Sequence, residues 1–312
     1  MSQFNIILNQ VIVFSILMGL GFLFRKKEIF SRNDVKGMSV LLMKVLMPTT
    51  VFFVIYDSGA TLTLFIDHKN FFIITTILFF GLLYLGTLIS KIFQKDQKKA
   101  IPLSLYYAFN NNNFFGLPII LSLFQTTSSK VNFSQFLIID SILLWTIGVY
   151  ICNKESFKKD FFKQLKKSLN SMTLALLSAL LLLAFKIELP SVITNSLVGF
   201  KAGSGTIAMF YVGCLLAETD YKGIFADINV YILVTLKMIL IPILIMIFGP
   251  LLLSKESTLI LALLISMPGK VLVSIMVKDY NLDDYYSAKV IFATTILALP
   301  IIPILTYLYS RI

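Results

Sequence analysis

Apolar residues occur along this chain in stretches of roughly 20, the length that an α-helix needs to cross a lipid bilayer. Shorter segments that carry Lys, Arg, Asp and Asn separate these stretches. The pattern predicts an all-α polytopic membrane protein of about ten transmembrane helices. The predicted spans cover residues 6–24, 38–56, 71–93, 101–124, 133–151, 169–185, 192–217, 230–253, 258–280 and 286–309.

Several predicted spans contain residues that interrupt a helix. Pro48 lies in span 2, Gly203-Ser204-Gly205 in span 7 and Pro268 in span 9, and a run of four asparagines lies in span 4. Irregular backbone at membrane depth survives only where protein or a water-filled cavity surrounds it. An amide cluster beside a helix break therefore predicts the substrate site of a transporter. The predicted site residues are Asn110, Asn111, Asn112, Asn113, Gly116, Pro118, Pro268, Gly269 and Lys270.

These residue types suit the binding of an anion. The asparagine amides are expected to donate hydrogen bonds to a substrate carboxylate and to cap the interrupted helix. The alternative is that they only satisfy backbone groups that the break frees. Pro118 and Pro268 lack a backbone N–H and are expected to open their helices. Two helix N-termini would then face the site, where their partial positive charge favours an anion.

A few charged residues lie deep in predicted spans, where charge is costly unless it is paired or hydrated. Lys270 is expected to bind the anionic substrate or to replace a coupling cation. Its alternative is a lysine that only extends to one membrane face. Asp140, in span 5, could pair with Lys270, Lys237 or Lys44, act as a proton carrier, or only lock the helices together.

Composition narrows the class of protein further. The chain is 57% apolar and 14% charged, which leaves too little polar surface for a soluble domain. Its net charge of +11 comes from Lys and Arg in short loops, where they orient spans, and is not a nucleic-acid signature. The two cysteines and the single histidine form no metal-ligand cluster or nucleophile–base pair, so neither an enzyme nor a cofactor is predicted.

The distribution of basic residues predicts the topology. Lys and Arg concentrate in the loops after spans 1, 3 and 5, which predicts that both termini lie outside the cell membrane. Spans 1–5 and 6–10 would then enter from opposite sides, as the inverted repeats of secondary transporters do. The chain is accordingly divided into a first repeat at 1–152, a basic cytoplasmic linker at 153–168 and a second repeat at 169–312. The interruptions in spans 4 and 9 fall at matching places in the two repeats.

The segment Asn111-Asn112-Asn113-Phe114-Phe115-Gly116-Leu117-Pro118 resembles the N-T-G-F-L-G-L-P signature of span 4 in the auxin efflux carrier family, which includes bacterial malate and malonate permeases. Segments 19–25, 46–48, 144–150 and 266–269 are also similar to that family. The resemblance implies two inverted five-helix repeats in which helices 4 and 9 cross at their prolines, as in sodium/bile-acid symporter relatives. It also implies a scaffold bundle beside a mobile transport bundle. Asn112 and Asn113 replace the Thr and Gly of the signature, which leaves the substrate and sodium coupling open.

The resemblance implies a function as well as a fold. The expected function is secondary active transport of small organic carboxylate anions, such as malate or malonate, by alternating access. A cation/proton antiporter of the same fold group is the first alternative, and a ligand-binding membrane receptor without transport is the second. The expected partners are the organic anion and the lipid bilayer. Proton coupling and a homodimer stay open, sodium coupling is doubtful, and no nucleic acid is expected.

Overall fold

The computed structural model describes residues 3–153, 161–220 and 223–310. In these ranges the chain is helical almost throughout and contains no β-strand. The predicted basic linker is described only in part, because residues 154–160 lie outside the described ranges while Phe161–Ser168 forms a helix.

The main helices of the described ranges are numbered in chain order. They are α1 (Gln3–Lys26), α2 (Arg32–Tyr56), α3 (Leu62–Asp67), α4 (Lys69–Phe93), α5 (Gln97–Leu105), α6 (Asn112–Leu123), α7 (Thr127–Cys152), α8 (Phe161–Ser168), α9 (Ser171–Ala184), α10 (Ser191–Glu218), α11 (Ile228–Leu251), α12 (Lys255–Ser266), α13 (Val271–Asp279) and α14 (Asp284–Tyr309). Polar side chains fix where several of them begin. Ser31 and Asp34 form a reciprocal capping box at α2, and Thr126 caps α7.

Seven of the described helices are long and apolar enough to cross a membrane, and the bent pair α8–α9 adds an eighth. The seven are α1, α2, α4, α7, α10, α11 and α14. They coincide with predicted spans 1, 2, 3, 5, 7, 8 and 10. Within the bent pair, α9 coincides with span 6, whereas α8 lies in the predicted linker. Predicted spans 4 and 9 each consist of two shorter helices, α5 with α6 and α12 with α13. The prediction of an all-α multi-pass membrane protein is therefore confirmed.

Pro48 and Pro118 do not interrupt their helices, contrary to the prediction. Each occupies the second residue of an α-helical segment that directly follows a π-helical turn, as Pro242 also does. A π-helical turn changes the hydrogen-bond register, and we attribute to this change the accommodation of a residue that lacks an N–H. Because α6 continues through Pro118, the break in span 4 lies earlier in the chain, at residues 106–111.

The predicted break in span 7 is also wrong, because α10 continues through Gly203-Ser204-Gly205. These small residues serve helix packing instead. Thr50 Oγ1 of α2 donates a hydrogen bond to Ser204 Oγ at 2.8 Å. A Cβ atom at Gly205 would lie 3.4 Å from the ring of Pro118 in α6. Small residues allow helices in a membrane to approach closely, and α10 uses them against both neighbours.

The helices pack in two groups. In the first group α10 packs against α1 and α2, and α2 packs against α9. In the second group α4 packs against α5 and α7, α11 against α12, and α13 against α14. The groups meet where α1 contacts α6 and α14, where α10 contacts α6, and where α7 contacts α2 and α9. The interrupted helices thus belong to the second group, and α6 contacts the first.

Glycines permit the closest helix contact, between α1 and α10. A Cβ atom at Gly21 would lie 2.0 Å from the carbonyl oxygen of Phe210, and a Cβ atom at Gly213 would lie 2.0 Å from the carbonyl oxygen of Met18. Neither distance is compatible with a side chain. The two helices therefore touch through their backbones, which makes this pair the tightest joint of the first group.

Candidate functional site

The two interrupted segments cross each other inside the protein. The first, residues 106–111, joins α5 to α6, and the second, residues 267–270, joins α12 to α13. The backbone N–H of Asn111 donates to the carbonyl of Pro268 at 2.7 Å, and the N–H of Lys270 donates to the carbonyl of Phe109 at 3.3 Å. Asn110 and Gly269 thereby form an isolated antiparallel bridge. Each break satisfies backbone groups that the other leaves free, as an apolar interior requires.

Side chains around the crossing hold it in place. Asn110 Nδ2 donates to the carbonyl of Leu264 in α12 at 3.1 Å. Thr294 Oγ1, from α14, accepts the backbone N–H of Gly269 at 3.0 Å. Lys237, buried in α11, donates to the carbonyl of Met267 at the end of α12. Asn110 and Lys237 therefore stabilise the crossing itself.

Gly269 is required at the crossing for space. A Cβ atom there would lie 2.8 Å from the ring of Tyr106, whose hydroxyl is bonded to Ser287 in α14. Tyr106, in the other interrupted segment, leaves no room for a side chain at Gly269. Gly269 thus permits the close backbone approach at the crossing.

The other asparagines divide into different roles. Asn111 caps α6 by accepting the backbone N–H of Phe114 at 3.3 Å, while its Nδ2 has no hydrogen-bond partner among the described residues. Asn112 is fully buried, and neither of its side-chain polar atoms has a partner in the described chain. Asn113 is half-buried. Gly116 makes room for Asn112, since a Cβ atom at Gly116 would lie 3.0 Å from Asn112 Oδ1.

Lys270 and Asp140 form a buried ion pair. Lys270 is the last residue before α13, and its Nζ binds Asp140 Oδ2 on α7. Their side chains are only 6% and 3% exposed. Asp140 Oδ1 has no hydrogen-bond partner within the described ranges. A pair buried this deeply in a membrane protein lies in the environment where ionisable residues usually serve function.

Two cavities adjoin this pair, and six residues line both of them: Asn113, Trp145, Asn170, Met172, Lys270 and Leu272. The smaller cavity, of about 30 Å³, is also lined by Asp140. The larger cavity, of about 140 Å³, is also lined by Asn111, Lys44 and Tyr211. Lys270 therefore lies at the border of the two, and the larger cavity carries two lysines and no carboxylate among its described lining residues.

The structure brings together only part of the predicted site. Asn111, Asn113 and Lys270 line the larger cavity, and the exposed Lys44 joins them from α2. Among the lysines considered as partners of Asp140, only Lys270 is bound to it. Asn110, Asn112, Gly116, Pro118, Pro268, Gly269 and Lys237 belong to the crossing and its packing.

Four residues that line both cavities were not predicted from the sequence, and two of them, Trp145 and Asn170, carry hydrogen-bonding groups. Trp145 is the only tryptophan of the chain, and its Nε1 has no partner among the described residues. Asn170 caps α9 by accepting the N–H groups of Met172 and Thr173. An unusual aromatic in span 5 and an amide at the start of span 6 were visible signals. Only the packing of α7 against α9 places them at the site.

No group of three metal-ligating side chains occurs within the described ranges. A multi-pass helical protein with two crossing, interrupted helices and a cationic, amide-lined cavity is a membrane transporter in class. A family model described as membrane transport protein matches residues 6–306, and the chain belongs to this family, that of the auxin efflux carriers. This match confirms the resemblance read from the sequence. A comparison with curated proteins finds no match.

Proposed function

We propose that the chain is a secondary active transporter that moves small organic carboxylate anions, such as malate or malonate, across the cell membrane by alternating access. The observation that carries the proposal is the larger cavity, where Lys270 meets an amide donor without a partner. Asn111 Nδ2 is buried beside this cavity and makes no hydrogen bond among the described residues. A substrate carboxylate would accept a hydrogen bond from Asn111 Nδ2 and would bind Lys270, which already binds Asp140.

The backbone favours an anion at the same place. α6 begins at Asn112 and α13 begins at Val271, so both helix N-termini lie next to the crossing. Free N–H groups at a helix N-terminus carry partial positive charge and attract anions. Lys44 adds a second cation at the exposed side of the cavity. Two helix N-termini and two lysines, Lys44 and Lys270, therefore surround the larger cavity.

We further propose the finer architecture that the family resemblance implies. The ten spans would form two inverted five-helix repeats, at 1–152 and 169–312, in a fold like that of the bile-acid symporters. In support, each half contributes one interrupted span, and these two spans bind each other antiparallel. The group of α1, α2, α9 and α10 would be the scaffold, and the group that carries the crossing would be the mobile transport bundle.

The described conformation would be open to the cytoplasm. The larger cavity is lined by Ser39 in the first half of α2, by Lys44 in the middle of α2, and by Asn170 and Ser171 at the start of α9. Both helix ends adjoin basic loops, which the distribution of Lys and Arg predicts to be cytoplasmic. Alternating access would close this entrance and open the opposite one as the two helix groups move relative to each other.

Cation/proton antiport is the weaker candidate on electrostatic grounds. A cation site needs an available carboxylate, and Asp140 is already bound to Lys270. The larger cavity presents two lysines instead, whose charge repels a cation and attracts an anion. A receptor that binds without transport would use the same contacts, so only a flux measurement separates it from a transporter.

Uptake into proteoliposomes tests the proposal. Labelled malate, malonate, lactate and an indole carboxylate are offered in turn, with sodium and proton gradients varied separately. We expect saturable uptake of at least one anion, its loss in Lys270→Ala, and its retention in Lys201→Ala. Lys201 is a matched control because it pairs with Asp57 at 2.7 Å in a partly exposed ion pair outside the cavities. Anion binding without uptake would favour the receptor, and neither binding nor uptake would refute the anion site.

A further inference from the structure

We propose that Asp140 is a resident counter-ion of Lys270 which takes up a proton when a substrate carboxylate replaces it, so that each anion travels with a proton. The inference rests on the proposed function and assigns the coupling chemistry of that same site. It concerns which group leaves the lysine when the substrate arrives, and what then happens to the charge of that group.

The position of Lys270 allows such an exchange. Its side chain lines both cavities, whereas Asp140 lines only the smaller one. The larger cavity, with Asn111 and Lys44, is open to a ligand on the side that Asp140 does not line. A carboxylate that enters there would approach Lys270 from the side that Asp140 does not line, and would compete with Asp140 for the same cation.

Among the described residues, Asp140 has no second partner that could hold its charge. Its Oδ2 is bound by Lys270, and its Oδ1 makes no hydrogen bond in the described part of the chain. The neighbouring hydroxyl of Ser141 is already committed: it donates to the carbonyl of Ser168 at 3.0 Å and accepts from Asn170 and Thr173. An ionised carboxylate that loses its only cation in a buried site is strongly disfavoured, and a proton restores neutrality.

Among the described residues, Lys270 is the one other ionisable side chain that lines the smaller cavity with Asp140. Lys44 on α2 and Tyr211 on α10 line the larger cavity, on the other side of Lys270. Lys167 on α8 lies 5.2 Å from the ring centre of Trp145. From α4, α9 and α12, which also pack on this part of the protein, no ionisable side chain lines either cavity among the described residues.

The resulting cycle conserves charge and atoms. The substrate carboxylate binds Nζ of Lys270, and Asp140 leaves the ammonium. A hydronium ion then gives up one proton to the Asp140 carboxylate: one O–H bond of hydronium breaks, one O–H bond forms on the carboxyl, and water remains. After the transport step the substrate leaves, Asp140 releases the proton and returns to Lys270. Two carboxylates therefore never face one lysine while both are charged, because like charges at short range disfavour the ionised state.

Calorimetric binding to the purified full-length protein tests this exchange. Malonate is titrated at about pH 7 and above, in buffers that differ in their enthalpy of ionisation. We expect uptake of about one proton for each malonate bound, and a binding constant that falls about tenfold for each pH unit gained. Asp140→Asn should bind malonate without proton uptake and with no pH dependence. Asp57→Asn, which alters the partly exposed pair with Lys201, should behave as the wild type does.

Each outcome decides the question. Malonate binding by the wild type without proton uptake would overturn the inference and leave the proposed function intact. Equal proton uptake by Asp140→Asn and the wild type would do the same. If malonate, malate and lactate all fail to bind the wild type, the proposed function fails first and the inference falls with it. Should Asp140→Asn not fold, the proton count of the wild type alone gives the answer.

Discussion

Removal of either member of the buried ion pair should destabilise the protein far more than removal of both. Lys270→Met leaves the Asp140 carboxylate without a cation, and Asp140→Asn leaves the ammonium without an anion. Because these side chains are only 6% and 3% exposed, water screens the remaining charge little. Breaking a buried pair costs about 3–5 kcal/mol, which is a factor of roughly 10² to 10⁴ in the unfolding equilibrium.

The double variant Lys270→Met/Asp140→Asn should recover most of that loss. Two neutral side chains of similar shape carry no uncompensated charge, and such replacements of buried pairs are often close to neutral in stability. Transport should not recover with stability, since the cation that binds the substrate is absent. The comparison therefore separates the structural contribution of the pair from its function.

Denaturant unfolding in lipid nanodiscs measures these differences. Trp145 is the single tryptophan and lines both cavities, so its fluorescence reports on this region. The matched control is the partly exposed pair of Lys201 and Asp57, 36% and 41% exposed, for which single replacements should change stability by only about 0–1 kcal/mol. Single variants of the buried pair that proved as stable as the double variant would refute the electrostatic reasoning.

Further predictions concern packing, substrate contact and the crossing. Gly213→Ala places a Cβ atom 2.0 Å from the Met18 carbonyl oxygen and should cost about 1–3 kcal/mol in unfolding, whereas Gly199→Ala on the same helix meets nothing within 4 Å and should not destabilise. Asn113→Ala should weaken malonate binding in calorimetry and leave the melting temperature unchanged; a lower melting temperature with unchanged binding would assign Asn113 to the fold. Lys237→Met removes the donor to the Met267 carbonyl and should lower the free energy of unfolding by about 1–3 kcal/mol. If the variant were as stable as the wild type, Lys237 would not stabilise the crossing.

Hydropathy predicted most of the membrane architecture because apolar length is a local property. The helices α1, α4 and α14 occupy nearly the residues expected of spans 1, 3 and 10. The polar run in span 4 also located an interruption correctly to within a few residues. Both successes rest on the high cost of unsatisfied polar groups in hydrocarbon, which sequence alone displays.

The exact place of the break could not be predicted because it depends on tertiary contacts. A proline usually ends or bends a helix, yet Pro118 follows a π-helical turn and α6 continues through it. Instead α5 ends at Leu105, and the backbone N–H of Asn111 donates to the carbonyl of Pro268 in the second interrupted segment. Because Pro268 is more than a hundred residues away in sequence, no local sequence pattern predicts this contact.

The choice of partner for Asp140 was likewise open in the sequence. Lys44, Lys237 and Lys270 were equivalent candidates by depth alone. The crossing separates them: Lys237 reaches the carbonyl of Met267, Lys44 lies at the exposed side of the larger cavity, and Lys270 reaches Asp140. The asparagines divide in the same way, because the bridge between Asn110 and Gly269 fixes which amides can face a cavity.

The most direct test compares malonate uptake by proteoliposomes that contain the wild type with uptake by proteoliposomes that contain Lys270→Met/Asp140→Asn. The comparison requires equal amounts of folded protein, which we expect because the double variant should be nearly as stable as the wild type. Saturable uptake by the wild type and none by the double variant is the predicted result. Equal uptake by both would contradict the central claim, that the lysine beside the crossing binds the transported anion.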